Sequence, residues 1–148
     1  YKRAEIQQDA KADDRAISDF SKAMDINPED AKAHYDRGFA YHNREEYDLA
    51  ILDYSKAIDI DPRYAEAYYG RGIAYQFRGD HDLAISDYSK AIEINPGYGE
   101  SYNNRAIEYY RNAEYDRAWK DVHKAQSLGH EAHPGFLKAL REASGREG

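Results

Sequence analysis

Shifted by about 34 residues, the chain lies on top of itself. Residues 65–98 fall on residues 31–64, with Arg71-Gly72 on Arg37-Gly38, Tyr75 on Tyr41, and Pro96 on Pro62. Asp82-Leu83-Ala84-Ile85 likewise falls on Asp48-Leu49-Ala50-Ile51. A period of this length permits few architectures. It points to a stack of similar units, each burying its neighbour's apolar face. Stacks of this kind usually hold other proteins rather than carry out chemistry. The 148 residues accommodate about four such units, enough for a continuous core.

Each unit reads as helix, short turn, helix. The first helix is broken at Glu45-Glu46 or Gly79-Asp80. The second ends before Asp61-Pro62 or Asn95-Pro96, because the residue preceding a proline is pushed out of the helical region. Turns this short require the two helices to pack antiparallel. Gly38 and Gly72 sit inside helices, where glycine costs roughly 1 kcal/mol against alanine. Their recurrence implies a neighbouring helix that leaves no room for a side chain, with Ala50, Ala57, Ala84 and Ala91 as the matching small surface.

Residues 1–30 read as a unit missing its start, with Gln7 where later units carry tyrosine and a second helix opening at Asp13-Asp14. Residues 99–132 form a fourth unit that drifts: Val122 replaces an aromatic and His130 a proline. Pro134 is well placed to begin a helix, and Phe136, Leu137, Leu140 and Ala143 give it one apolar edge. A helix over 134–143 is expected to cover the open end of the stack, and residues 144–148 to fray.

Composition narrows the partner. A net charge of −7 argues against nucleic acid or an anionic membrane, either of which needs a basic surface. Cysteine is absent, which removes disulfides, thiol nucleophiles and cysteine–zinc sites. The cytoplasm is the favoured compartment, and an extracytoplasmic one stays open. No apolar run reaches the length of a membrane span or a signal peptide. The chain starts at Tyr1 rather than a methionine, as an excised piece of a longer protein would.

With these residues laid out, the chain resembles the tetratricopeptide-repeat (TPR) proteins. The family's bulky residue, leucine-glycine, tyrosine, alanine, aromatic, alanine and proline are answered by Tyr68, Arg71-Gly72, Tyr75, Ala84, Tyr88, Ala91 and Pro96. The preceding unit answers with His34, Arg37-Gly38, Tyr41, Ala50, Tyr54, Ala57 and Pro62. The resemblance implies an all-α, right-handed superhelix of about nine helices in one domain over 1–144, with three full repeats after a truncated one. One departure recurs. Arginine replaces leucine at Arg3, Arg37, Arg71 and Arg105, and aspartate follows at Asp19, Asp53, Asp87 and Asp121. These are expected to pair between the two helices of a unit, contributing at most about 1 kcal/mol if exposed.

The resemblance also implies a concave groove lined by the first helix of each unit. Carried onto this chain, it falls at Lys32, Tyr35, Asp36, Phe39, His42 and Asn43, then Glu66, Tyr69, Gly70, Ile73, Gln76 and Phe77. The fourth unit adds Glu100, Asn103, Asn104, Ile107, Tyr110 and Arg111. Offsets of three and four residues put each set on one helical stripe. An aromatic strip with a few amides suits an extended or helical peptide, and Asn103 and Asn104 are placed to bond its main chain. Phe39 and Ile73 have a competing role, burial against the next repeat. The carboxylate-clamp members of the family grip acidic chaperone tails with lysine, arginine and asparagine. The matching positions here are Tyr35, Phe39, Gly70, Glu100 and Asn104, or Tyr1, Glu5, Asp36, Glu66 and Gly70, and no basic residue stands at any of them.

Catalytic candidates are thin. His130 and His133 lack the spacing of a helical metal pair, and Asp59-Ile60-Asp61 lacks that of a calcium loop. Gly97-Tyr98-Gly99 follows no strand, so it does not match a nucleotide loop. The expectation is a non-catalytic module without cofactor or metal, binding a protein or peptide, as a monomer or weak homo-oligomer. The alternative is a structural assembly piece, either a segment of a longer solenoid or a self-associating unit.

Overall fold

The computed structural model describes residues 2–146, with side chains described from residue 11 onward. Eight helices succeed one another, with no strand among the described residues. They are α1 (Lys2–Ile26), α2 (Ala31–Asn43), α3 (Tyr47–Ile60), α4 (Ala65–Arg78), α5 (His81–Ile94), α6 (Gly99–Arg111), α7 (Tyr115–Ser127) and α8 (Pro134–Ser144). α2 pairs with α3, α4 with α5 and α6 with α7, while α3 against α4 and α5 against α6 join the pairs into a superhelical stack.

The same device turns the chain inside each unit. Glu45, Gly79 and Ala113 stand in the left-handed region, at φ of 60°, 84° and 58°. The next amide then reaches back five residues: Glu46 to Tyr41, Asp80 to Tyr75 and Glu114 to Tyr109, at 3.0, 2.9 and 2.8 Å. This closure satisfies last-turn carbonyls that would otherwise lack donors.

α1 departs from the pattern. Two helices are expected over its length, and one 25-residue helix occurs instead. Lys11 stands at the register of Glu45 and Gly79, between Ala10 and Ala12. Nothing there asks for a left-handed residue, and alanine and lysine both propagate a helix. This accounts for eight helices rather than about nine. The side chains of Tyr1, Arg3, Glu5 and Gln7 lie outside the described residues.

Small residues let the helices close. Ala50, Ala57, Ala84, Ala91, Ala118 and Ala125 are all fully buried. A Cβ on Gly38 would stand 3.0 Å from the Tyr54 ring, and one on Gly72 only 2.8 Å from the Tyr88 ring. The glycines therefore make way for a tyrosine of the same unit, rather than for the alanines. In the fourth unit the pair becomes Ala106 with Val122, both buried. The smaller second residue leaves space for a methyl on the first.

The recurring arginines are deeper than expected. Arg37, Arg71 and Arg105 each donate from Nε and Nη2 to Asp53, Asp87 and Asp121, at 2.7–2.9 Å. The aspartates are only 3, 5 and 3% exposed, so these are not surface pairs. Nη1 of each arginine also reaches Ser21, Ser55 or Ser89 at 3.1 Å, in the second helix of the preceding unit. One guanidinium thus ties two units together. Hydrogen bonds to Asp53 hold Arg37 above its usual range despite burial. Burial raises the Asp87 carboxyl even with Arg71 beside it. Asp19, at the same register in α1, is exposed.

α8 closes the far end. Leu140 is fully buried in a cluster with Ala106, Ala118, Trp119, Val122 and Ala132, and Phe136 and Leu137 pack against that cluster. Ala143 is exposed, contrary to its expected place on the apolar edge. The helix runs to Ser144, whose Oγ accepts a hydrogen bond from Trp119 Nε1 at 2.9 Å. Of the tail expected to fray over 144–148, residues 147–148 lie outside the described residues.

Candidate functional site

The first helices of successive units lie side by side: α2 touches α4, and Asn104 on α6 reaches Tyr69 on α4. Two clefts open along them. The first, about 70 Å³, lies between α2 and α4 among Tyr35, Phe39, His42, Tyr69, Gly70 and Ile73. The second, about 420 Å³, is walled by Tyr69, Asn103, Asn104, Ile107, His130 and Phe136. Tyr69 borders both.

The first cleft is aromatic and neutral. Tyr35 stacks on Tyr64 with ring centroids 5.1 Å apart. Burial, reinforced by Asp36, pushes the Tyr64 hydroxyl up to about 12. Burial also raises Tyr35, so both hydroxyls keep their protons at neutral pH. Phe39 is 51% exposed, which answers the question of its burial, and Ile73 is half-buried. Burial lowers the His42 imidazole, leaving it uncharged at neutral pH, and its buried Nδ1 has no hydrogen-bond partner.

The second cleft exists because the fourth unit lacks two rings. Tyr69 packs on Tyr98 at 4.9 Å, repeating the Tyr35–Tyr64 pair, but one period on the same positions hold Asn103 and Ala132. The His130 ring fills part of the gap. It rests on Gly99, where a Cβ would lie 2.2 Å from it. Asn103 Nδ2 donates to the His130 carbonyl at 3.3 Å and Asn104 Nδ2 to the Tyr69 hydroxyl at 3.0 Å. Both amide donors are thus engaged within the protein instead of facing outward. Asn103 Oδ1 is buried with no donor.

Other residues of the expected stripe scatter. Lys32 and Asp36 pair with each other at 2.8 Å. Asn43, Glu66 and Arg111 are exposed and border neither cleft. Phe77 lines neither cleft: it stacks on Tyr47 with centroids 5.1 Å apart and planes 4° apart, and meets His42 edge-on. Gln76 accepts from the Tyr88 hydroxyl at 2.7 Å. Tyr110 packs edge-on against Phe136 at 5.7 Å. The wall formed by His130, Glu131, His133 and Phe136 escaped the sequence reading. Its signal was the joint change of Pro96 to His130 and of Ala65 to Gly99 at matching positions.

Among the described residues, no group of three histidine or carboxylate side chains is placed to hold a metal. No helix there is long and apolar enough to cross a membrane.

Family models described as tetratricopeptide repeat match residues 65–98, and 20–51 with 88–120. A third, described as TPR repeat, matches 40–76. No curated protein matches. Among solved structures, a crystal structure of MamA is similar at 26% identity and a TM-score of 0.79, covering 91% of this chain and 80% of that one. The first TPR of Spaghetti (RPAP3), bound to the HSP90 peptide SRMEEVD, is similar at 26% identity and 0.71, covering 78% and 90%. MamA from Desulfovibrio magneticus RS-1 shares the fold at 23% identity and 0.74, covering 80% and 67%. In all, 233 solved chains match, so shape alone selects no partner.

Proposed function

Because the chain belongs to the tetratricopeptide-repeat family, we propose that it is a non-catalytic protein-interaction module holding a partner's peptide segment in its concave groove. The observation that carries this reading is that Tyr69 borders both clefts along the first helices. A peptide crossing that ring meets Phe39 and Ile73 on one side and the α6 amides on the other. Phe39 leaves half its surface in water, and covering such a ring is the usual source of affinity at an interface.

The RPAP3 comparison bears on what the partner is not. That domain is bound to an acidic peptide. The clamp positions here hold Tyr35, Phe39, Gly70, Glu100 and Asn104, so an acidic tail would find no cation and one carboxylate facing it.

Selection from a displayed random-peptide library tests the reading. Peptides enriched on the wild type are expected to lose at least about tenfold in affinity on Phe39→Asp, the loss of one well-placed apolar anchor. SRMEEVD is expected not to bind. Enrichment of no peptide, or equal binding by the variant, would count against the groove.

A further inference from the structure

We propose that the cavity between Tyr69 and Phe136 seats an arginine side chain of the bound peptide, so that the groove selects basic segments; this rests on the groove reading above. The missing rings at Asn103 and Ala132 open the space, and about 420 Å³ falls within the usual range of ligand pockets, ~300–1,000 Å³.

Several polar groups around this space can accept hydrogen bonds. Asn103 must turn its amide nitrogen toward the His130 carbonyl, which fixes Oδ1 as an acceptor, and that buried atom has no donor. Glu100 and Glu131 stand among the residues of this wall, the Glu131 carboxylate also accepting from Gln126 Nε2 at 3.2 Å. No lysine or arginine is among the described residues that form it, and its basic groups are the imidazoles of His130 and His133. His130 Nδ1 lies 3.7 Å from Glu100, too far for a hydrogen bond.

Arginine answers these features better than lysine. Its planar fork can donate to a carboxylate and an amide oxygen together. Its flat face can lie on an aromatic ring such as Tyr69 or Phe136. Lysine offers a more strongly hydrated point charge. The protein's net charge of −7 favours approach of a basic segment as well.

The test uses pools of synthetic octapeptides, each pool with one position fixed as Arg, Lys, Gln or Glu and the others random. Retention is measured on the wild type, on Glu100→Gln/Glu131→Gln and on Phe39→Asp. Glu100 and Glu131 are both exposed, so the double variant is expected to melt with the wild type. The Arg pools should be retained about fivefold or more over the Gln pools, with Lys between them and Glu last. Two lost charge-assisted contacts should cut that preference about tenfold or abolish it, while Phe39-dependent retention persists. An Arg preference absent in the wild type, or unchanged in the double variant, overturns the inference and leaves the groove standing. Retention indifferent to Phe39→Asp overturns the groove and, with it, this inference.

Discussion

At the scale of single residues, the strongest statements concern charges taken out of water. Asp87 is 5% exposed and bound at both oxygens by Arg71. Removing one partner of such a pair costs about 3–5 kcal/mol, because the other charge is stranded. Arg71→Ala and Asp87→Ala should each be severely destabilising. The double variant should cost well under their sum, with a coupling of about 1.5 kcal/mol or more in urea titrations; a coupling near zero would remove the pair from the account. His42 gives a pH effect of known sign. Its folded form favours the neutral ring, so the unfolded chain takes up the proton first as pH falls through about 6.5, and stability drops. Between pH 7 and 5 the wild type should lose more stability than His42→Gln, which borrows the residue at the matching position of α4. Equal slopes would exclude that role for His42. The recurrence of arginine and aspartate was legible in the sequence, and so was their pairing. Their burial was not, because exposure depends on how far the flanking helices overhang, which spacing does not report. The serines were legible too: Ser21, Ser55 and Ser89 recur with the same period, but polar residues on a second helix read as solvated.

At the scale of helices, paired changes between units record what each contact demands. Gly38 faces Tyr54 and Gly72 faces Tyr88, whereas Ala106 faces Val122. Gly72→Ala should therefore destabilise the wild type by about 1 kcal/mol, the crowding outweighing the helix-propensity gain. In a Tyr88→Val background the same substitution should turn stabilising. Thermal or urea unfolding of the four proteins reads that change of sign, and a constant sign would refute the packing argument. Helix ends follow the same logic. Asp61-Pro62 and Asn95-Pro96 announced theirs in the sequence. The uninterrupted α1 did not announce itself, since an incomplete unit invites completion by analogy, while the local Ala10-Lys11-Ala12 run decides the backbone.

At the scale of the whole molecule, the stack carries a last helix that packs on the fourth unit. α8 buries Leu140 completely and reaches Trp119, the one tryptophan of the chain. Leu140→Ala should cost about 2–5 kcal/mol. It should also shift the tryptophan emission to longer wavelength at denaturant concentrations where helical circular dichroism is still largely kept. Coincident loss of both signals would mean the cap does not open separately. The packing of this helix on the fourth unit could be read from Phe136, Leu137 and Leu140. The groove's second cleft could not, because it is made by two absent rings, and an absence registers only when the neighbouring units are superposed on it.

The serine–arginine–aspartate ties have a consequence for how such a chain can grow. The copies at 31–64 and 65–98 each carry both halves of the joint, an arginine with its aspartate for the copy itself and a serine for the copy that follows. A tandem duplication of residues 65–98 would place Ser89 of one copy against Arg71 of the following one, repeating a joint already made at Ser55–Arg71 and Ser89–Arg105. The two registers are broken at His123 in the serine position and at Ala139 in the arginine position. Length can therefore change by whole copies with no new fitting of surfaces.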